Sequence, residues 1–259
     1  MTKNLIGIDS GSTMCKAVLF RGGSVIDFRI VKTGWDPNHS ARESMELLLN
    51  RNNIRGEETL VAATGYGREA LDFADVIFTE ITCHALGGLF LSPDIGGVID
   101  IGGQDSKVIQ IKDNRVVNFL MNDKCAAGTG RFLSMACGVM GIFIEDADKF
   151  ANPSEAVPIN SMCAVFAESE IISLLAARKD RSMIMSGVLE SIARKIQQMA
   201  GKIEFTENKP LMMTGGLSRS KVLIDIISKT IGIKVITHDQ AIFAGAIGAC
   251  VRTEGSGIR

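Results

Sequence analysis

The sequence predicts an α/β protein built from two similar lobes, and three observations support this fold class. Residues 8–18 and 99–109 carry the same strand–turn–strand pattern, in which Asp100 follows Asp9 by 91 residues. The register continues without a gap to residue 119, and a repeat of this length indicates two lobes that face each other across a cleft. Apolar alternation within the repeats predicts strands, whereas later segments have the apolar spacing of helices.

Each copy of the repeat leads an apolar strand to an aspartate and then turns through glycine. Glycine permits a tight turn in which successive backbone N–H groups point at phosphate oxygens. Asp9 and Asp100 are suited to holding the hydration shell of Mg²⁺. Lys16 and Lys107 are suited to neutralising phosphate charge. One such turn is usually only structural, but two in fixed register favour a nucleotide-binding site.

The first lobe is predicted to begin as a β-meander and to continue as an α/β layer. Its predicted elements are strands at 4–9, 16–21, 24–31 and 60–63, a helix at 40–52, a loop at 65–68, and helical segments at 68–74 and 80–91. The pattern restarts at Gly96 and Gly97, which therefore mark the boundary. We assign 1–95 plus 240–259 to lobe I and 96–239 to lobe II.

The second lobe is predicted to follow the same order with more helices. Its elements are strands at 98–101, 107–112, 115–121, 211–213 and 234–236, and helices at 130–141, 164–177, 186–203, 217–231 and 240–251, the last assigned to lobe I. The pair Gly215-Gly216, followed by Leu217, is predicted to open a helix, where backbone N–H groups come close to a ligand. Alone this would be an ordinary strand–helix turn. Beside two phosphate turns it is interpreted as a contact to the adenosine side of a nucleotide.

Composition and charge exclude several classes of function. The 259 residues carry a net charge of −1 without a basic block, so nucleic-acid binding is not expected. No apolar run reaches membrane-spanning length, and the N-terminus leads directly into a predicted strand without a signal-peptide pattern. A cytoplasmic protein is expected. Its six cysteines are too few for a disulfide scaffold and would be reduced there.

Two cysteines stand in an unusual context. Cys125 and Cys163 each follow a polar turn and precede a predicted helix, where free N–H groups and the helix dipole stabilise a thiolate. Two thiolates do not complete a four-cysteine iron–sulfur site, but a twofold dimer would supply four at its axis. The alternative, left open by the residues alone, is that both are small buried hydrophobic residues.

Three of the other four cysteines are predicted to be structural, and the residues alone leave the fourth open. Cys15, Cys137 and Cys250 lie in apolar strand or helix patterns and are expected in the core. Cys83 lies beside His84, and a structural pair is favoured there over a pair of metal ligands.

Six motifs in fixed order identify a known family. They are Asp9-x-Gly11-Ser12-Thr13, Ala63 to Arg68, Val98 to Asp105, Asn122 to Phe132, Cys163 to Glu170, and Thr214-Gly215-Gly216. The chain resembles, end to end, the activator component of 2-hydroxyacyl-CoA dehydratases, in the wider group that contains the ATPase subunits of benzoyl-CoA reductase. The resemblance implies the actin/sugar-kinase/Hsp70-like ATPase fold.

The resemblance also implies cofactors and the residues that bind them. It implies a homodimer with one [4Fe–4S] cluster between subunits, ligated by Cys125 and Cys163 of each chain. It implies ATP or ADP with Mg²⁺. Together with the turns described above, the expected nucleotide-binding residues are Asp9, Gly11, Ser12, Thr13, Met14, Cys15, Lys16, Gly102, Gly103, Gln104, Gly215, Gly216 and Leu217. Relatives commonly carry Ala-Gln-aromatic where this chain has Ala241-Ile242-Phe243, so a polar nucleotide contact is expected to be missing or replaced by Gln240.

The activity implied by the resemblance is ATP-driven electron transfer under anaerobic conditions. Reduced ferredoxin or flavodoxin would be the donor, and an iron–sulfur dehydratase or reductase the acceptor. Gln104 or Asp105 would orient the attacking water, because positioning dominates phosphoryl transfer. The alternatives are a small-molecule kinase and a non-catalytic nucleotide sensor of the same fold.

Overall fold

The computed structural model describes residues 4–160, 163–205 and 208–256 of the chain. The chain forms two compact units, the first from residues 1–95, 111–116 and 238–259, and the second from 96–110 and 117–237. The lobe boundaries given above stay a prediction. In the described parts of the chain, no helix combines the length and the apolar character needed to cross a membrane.

Runs of strands and runs of helices follow one another along the chain. The strands are β1 (Asn4–Ser10), β2 (Met14–Arg21), β3 (Ser24–Lys32), β4 (Thr59–Thr64), β5 (Val76–Ile77), β6 (Gly97–Ile101), β7 (Ser106–Lys112), β8 (Arg115–Asn122), β9 (Leu211–Gly215) and β10 (Val235–Ile236). The helices are α1 (Pro37–Arg51), α2 (Glu80–Leu91), α3 (Gly130–Met140), α4 (Ala147–Phe150), α5 (Ala164–Ala176), α6 (Arg181–Ala200), α7 (Lys221–Ile231) and α8 (Ala244–Gly255). The predicted α/β class is therefore confirmed.

The first sheet has the order β3-β2-β1-β4-β5. Its β1 pairs with β2 in antiparallel fashion and with β4 in parallel. Both faces of β1 are covered: Ile6 and Ile8 pack with residues of α1, and Leu5 packs with residues of α8. Apolar side chains on both faces explain why β1 is buried along its whole length.

Helices α2 and α8 pack closely because small residues face each other. A Cβ on Gly87 would collide with the backbone of Ala244, and one on Gly248 would collide with the backbone of Cys83. The small residues of the last helix therefore admit the backbone of a neighbouring helix.

The second sheet has the order β10-β9-β6-β7-β8 and repeats the central arrangement of the first. Here β6 pairs with β7 in antiparallel fashion and with β9 in parallel. Residues of α3, α5, α6 and α7 pack with those of β6 and β9 in one large apolar core. Helix α6 contributes an apolar stripe to this core, with Val188, Leu189, Ile192 and Ile196 fully buried.

Several predicted helix starts are wrong, mostly because the side chain that caps the helix lies before or after the predicted first residue. Asp36 accepts hydrogen bonds from the N–H groups of Asn38 and His39, so α1 begins at Pro37 rather than at residue 40. Asp180 caps α6 in the same way, which therefore starts at Arg181.

Two shorter segments also differ from the prediction. The helical segment predicted at 68–74 is only a single 3₁₀ turn, at Arg68–Ala70, after which β5 joins the sheet. The last helix starts at Ala244 after a 3₁₀ turn at Ala241–Phe243. Short segments carry too few residues to show a period, so tertiary pairing decides their state.

Candidate functional site

The first hairpin places Asp9 and Lys16 directly opposite each other on β1 and β2. The Lys16 ammonium donates a 3.1 Å hydrogen bond to Asp9 Oδ2, and both side chains are almost fully buried. A buried ion pair of this kind holds both side chains in one orientation. The pair therefore presents a fixed charge arrangement at the base of the first turn.

The first turn, residues 11–13, is partly exposed and is fastened from outside the hairpin. Thr33, just beyond β3, donates its Oγ1 hydrogen to the Gly11 carbonyl at 2.7 Å and its N–H to the Thr13 carbonyl at 3.0 Å. The predicted contacts Ser12, Thr13 and Met14 lie on this accessible stretch. Cys15 differs, because its side chain is fully buried in the apolar core, and only its backbone lies beside the turn.

The second hairpin repeats the pair at the predicted offset. Asp100 lies opposite Lys107 on β6 and β7, with 3.2 Å between Lys107 Nζ and Asp100 Oδ2. Lys107 Nζ also donates to Asp105 Oδ2 at 2.8 Å. Asp105 is thus engaged by this ammonium, whereas Gln104 lies exposed on the turn between Gly103 and Asp105.

The structural repeat extends to a third strand in each unit, which the sequence reasoning missed. Thr64 on β4 lies opposite Asp9, and Thr214 on β9 lies opposite Asp100. Each threonine is followed by a glycine with positive φ, namely 97° at Gly65 and 82° at Gly215. The available signal was the dipeptide Thr-Gly, which ends an apolar strand in both units.

These two glycines are required by close approach. A Cβ on Gly65 would lie 2.6 Å from Asp9 Oδ1 and from the Ser10 carbonyl oxygen. A Cβ on Gly215 would lie 2.5 Å from Asp100 Oδ1 and from the Ile101 carbonyl oxygen. In each unit the backbone of the parallel strand therefore packs directly against the aspartate. The space between them, here called the cradle, admits only glycine.

The surroundings of Asp9 contain further buried polar groups that sequence reasoning did not assign to the site. Asp9 Oδ2 and His84 Nε2 each lie 3.0 Å from the point where Gly245 would carry a Cβ. His84 is almost fully buried, which agrees with the structural role favoured for it above. Ser10 Oγ is also buried and has no hydrogen-bond partner among the described residues. A buried hydroxyl without a partner is typical of a place where water or a ligand binds.

The segment after β9 differs from the prediction. Gly215 ends the strand, but α7 begins only at Lys221, where Ser220 Oγ accepts a hydrogen bond from the Leu223 N–H. Gly216 and Leu217 therefore lie in a turn rather than at a helix N-terminus. The adenosine contact expected for these residues depended on free N–H groups at a helix N-terminus, and these residues do not lie at one.

Cys125 lies in the loop between β8 and α3 and is partly exposed. The predicted position at a helix N-terminus is wrong, because α3 starts at Gly130 with Thr129 as its N-cap. Asn122 holds the loop instead, by donating Nδ2 hydrogen bonds to the carbonyls of Cys125 at 2.9 Å and Ala127 at 3.0 Å.

Cys163 is also partly exposed and is the N-cap residue of α5, as the sequence predicts. Its carbonyl accepts the N–H of Ala167 at 2.9 Å. The turn predicted before it includes Ser161 and Met162, which lie outside the described residues. Helices α3 and α5, which follow the two partly exposed cysteines, pack against each other.

The other four cysteines are buried, as predicted for Cys15, Cys137 and Cys250 and favoured for Cys83. Burial raises the pKa of the Cys15 thiol to about 11, although a hydrogen bond to Ser44 opposes the shift. Burial raises the pKa of Cys83 to about 12 and that of Cys137 to about 11, and it raises the pKa of Cys250 as well. Since thiolates bind metals and attack electrophiles, these four are unsuited to both roles.

Within the described residues, no group of three or more histidine, cysteine, aspartate or glutamate side chains is arranged to hold a metal ion. Cys125 and Cys163 are thus the two accessible thiols of the chain, and they do not complete a four-ligand site by themselves.

Comparison with known proteins places these features in context. The model of the BadF/BadG/BcrA/BcrD ATPase family matches residues 6–252. The chain is 43% identical over 249 residues to YjiL of Escherichia coli strain K12, with 95% of each chain covered. It is 36% identical over 249 residues to the (R)-2-hydroxyglutaryl-CoA dehydratase activating ATPase of Acidaminococcus fermentans, again with 95% of each covered.

Solved structures with a similar fold include a protein of the same kind as these relatives. The activator of the 2-hydroxyisocaproyl-CoA dehydratase from Clostridium difficile, with bound ADPNP, superposes with a TM-score of 0.91 at 32% identity, covering 98% of this chain and 95% of that one. A ROK family glucokinase from Streptomyces griseus superposes with a TM-score of 0.59 at 15% identity, covering 97% of this chain and 99% of that one, which shows the shared fold alone. The fold predicted from the resemblance is confirmed.

Proposed function

The chain belongs to the BadF/BadG/BcrA/BcrD ATPase family, and on that premise we propose that it is an ATP-dependent one-electron donor that activates a 2-hydroxyacyl-CoA dehydratase or a related iron–sulfur reductase. The observation that carries the proposal is the division of the cysteines. Four are buried, and burial raises the pKa of each of these thiols, whereas the two that remain accessible fall on the two motif positions of the activators.

The two hairpin turns are proposed to bind the phosphates of ATP or ADP. Support comes from the buried Asp–Lys pair at the base of each turn and from the ADPNP bound to the Clostridium difficile relative. Asp9 and Asp100 would orient the water shell of Mg²⁺, since carboxylates and water are its preferred ligands.

Gln104 is proposed to orient the water that attacks the γ-phosphate. Its side chain is exposed on the second turn, whereas Asp105 is held by Lys107 and is better suited to fixing that lysine. An uncharged amide is sufficient, because orientation of the water contributes more than basicity in phosphoryl transfer.

Cys125 and Cys163 are proposed to ligate a [4Fe–4S] cluster shared by two copies of the chain. Two accessible thiols per chain fit this cofactor only if a second copy supplies the other two. The cluster would supply a one-electron carrier. The chain's own residues would hold it at the start of α5 and in the loop that Asn122 fastens. Reduced ferredoxin or flavodoxin is the proposed donor, and the cytoplasm the proposed location.

Anaerobic purification followed by iron and acid-labile sulfide analysis tests the proposal. We expect four iron atoms per two chains, and loss of the cluster in Cys125→Ala and in Cys163→Ala. Cys137→Ala is the matched control, because it removes a buried thiol from α3 and should retain the iron. A chain without iron, or iron that persists in Cys125→Ala, would contradict the electron-transfer part while leaving the ATPase part standing.

A further inference from the structure

The second turn is bonded through its backbone to the start of α3. The N–H of Gly130 donates to the Gly102 carbonyl at 2.8 Å, and the N–H of Arg131 donates to the Gly103 carbonyl at 2.9 Å. The first N–H groups of a helix have no partner inside the helix and are usually satisfied by a capping side chain. Here the carbonyls of the turn take that part, because the N-cap Thr129 directs its hydroxyl to the Ala126 carbonyl instead.

From the start of α3 the link continues to Cys125. Thr129 donates both its N–H and its Oγ1 hydrogen to the Ala126 carbonyl, at 3.1 Å and 2.6 Å. Asn122 closes the other side through its two bonds to the carbonyls of Cys125 and Ala127. The Cys125 loop is thus bonded at one end to β8 and at the other, through α3, to the second turn.

The link has little slack. A Cβ on Gly130 would lie 3.1 Å from the Gly102 carbonyl oxygen and 3.6 Å from Gly103 Cα, so the turn and the helix are in contact. Gly128 has a φ of 86°, and a Cβ there would lie 2.6 Å from Lys195 Cγ. A shift of the turn therefore moves the helix start, or breaks these bonds, rather than being absorbed between them.

We propose that this link makes the Cys125 loop respond to phosphate bound at the second turn, and that Asn122 is the positioning residue that passes the response to Cys125. The inference rests on the proposed function for nucleotide binding at this turn. It adds a regulatory route: the backbone carbonyls of Gly102 and Gly103, then the N–H groups of Gly130 and Arg131, then the loop.

Hydrogen exchange of the full-length chain tests the route. Exchange at residues 128–131 is measured by mass spectrometry with and without ADPNP, while calorimetry measures ADPNP binding. We expect ADPNP to change this exchange by about fivefold, the effect of one hydrogen bond gained or lost. Binding without any change in exchange would overturn the inference and leave the proposed function intact. Absence of binding would overturn both.

Two glycines of α3 provide a matched pair of variants. Gly130→Ala presses a methyl group against the second turn, whereas Gly138→Ala places one in open space on the same helix. We expect the ADPNP effect on exchange to disappear in Gly130→Ala and to persist in Gly138→Ala. An undiminished effect in Gly130→Ala, with ADPNP still bound, would show that the contact is not the route.

Asn122→Ser provides a second test that leaves the helix start intact. On full-length chain from which a chelator has removed iron and to which Mg²⁺ has then been restored, the rate at which iodoacetamide alkylates Cys125 is compared with and without ADPNP, with Cys163 as internal reference. We expect about a fivefold response in the unmodified chain and none in Asn122→Ser, while exchange at residues 128–131 still responds. A response of Cys125 that survives Asn122→Ser would refute the positioning role.

Discussion

The two hairpins share one internal design and differ in what fastens their turns. In both, an aspartate at the end of the first strand pairs with a lysine on the second and lies opposite a threonine on the parallel neighbour. The first turn is held by Thr33, which lies just beyond β3 of the same sheet. The second turn is held by the start of α3, and the loop that contains Cys125 lies immediately before this helix in the chain. The strands are thus equivalent in the two units, whereas the elements that hold the turns differ.

The charges at the two turns also differ. Lys16 forms an ion pair with Asp9, whereas Lys107 lies between the carboxylates of Asp100 and Asp105. Lys107 is also the more deeply buried lysine, with 2% of its side chain exposed against 11% for Lys16. Burial strengthens the interaction of charges, so the second pair is expected to matter more for stability.

Replacement of the two lysines tests that ranking and has the largest expected effect. Lys107→Met should lower the free energy of unfolding by about 3–5 kcal/mol, because two carboxylates lose their ammonium partner. Lys16→Met should cost less, since Asp9 and Lys16 retain more contact with water. Urea denaturation measures both, and equal costs would contradict the claimed difference between the hairpins.

The glycines that pack against the aspartates test what the hairpins share. Gly65→Ala and Gly215→Ala should each cost about 3 kcal/mol, because both combine a positive φ with contact to backbone oxygen. Gly232→Ala is the control, since it has a positive φ of 70° but open space, and should cost about 1 kcal/mol. Markedly different costs at Gly65 and Gly215 would argue against an equivalent cradle in the two units.

Alkaline pH should distinguish the two units. The first contains the buried thiols of Cys15, Cys83 and Cys250, whereas Cys137 is the buried thiol described in the second. The pKa of Cys83 rises from 9.0 to about 12, so above pH 9 the unfolded chain loses a proton that the folded chain keeps. The contribution of each buried thiol to the free energy of unfolding is therefore fully present below the pKa of the unfolded chain. Above that pKa, each thiol lowers the free energy of unfolding by up to about 1.4 kcal/mol per pH unit.

Urea titrations at a series of pH values above 9 would measure this slope. Cys83→Ala should reduce the fall of the free energy of unfolding with pH. Hydrogen exchange should show that amides of the first unit lose protection at a lower pH than those of the second. A slope that is unchanged in Cys83→Ala would mean that this thiol is not kept protonated by burial.

The smallest expected effect concerns the fastening of the first turn. Thr33→Val removes the 2.7 Å hydrogen bond to the Gly11 carbonyl and should lower the free energy of unfolding by about 1 kcal/mol. It should weaken ADPNP binding measured by calorimetry but leave the ADPNP response of residues 128–131 intact. Loss of that response would mean that the two turns are not fastened independently.

Much of the architecture could be predicted because it repeats. The offset between Asp9 and Asp100 predicted two equivalent hairpins, and both ion pairs occur at the matching positions. One strand, β5, was missed for a physical reason: it has two residues, and so short a segment shows no period. The position of Thr64 opposite Asp9 and of Thr214 opposite Asp100 was not predicted, because parallel pairing joins residues far apart in the chain.

By itself the sequence determined the fold class, the family, the duplicated hairpins and the two cysteines set apart from the core, because local pattern and motif order encode them. Only the tertiary structure decided which groups touch. That Asn122 rather than a helix end holds Cys125 is a local contact, which depends on the conformation that the folded loop adopts. That the carbonyls of Gly102 and Gly103 cap α3 follows from packing between distant segments. A hydrogen bond between such segments leaves no period or spacing in the sequence, since it depends on where the folded chain brings the two groups together.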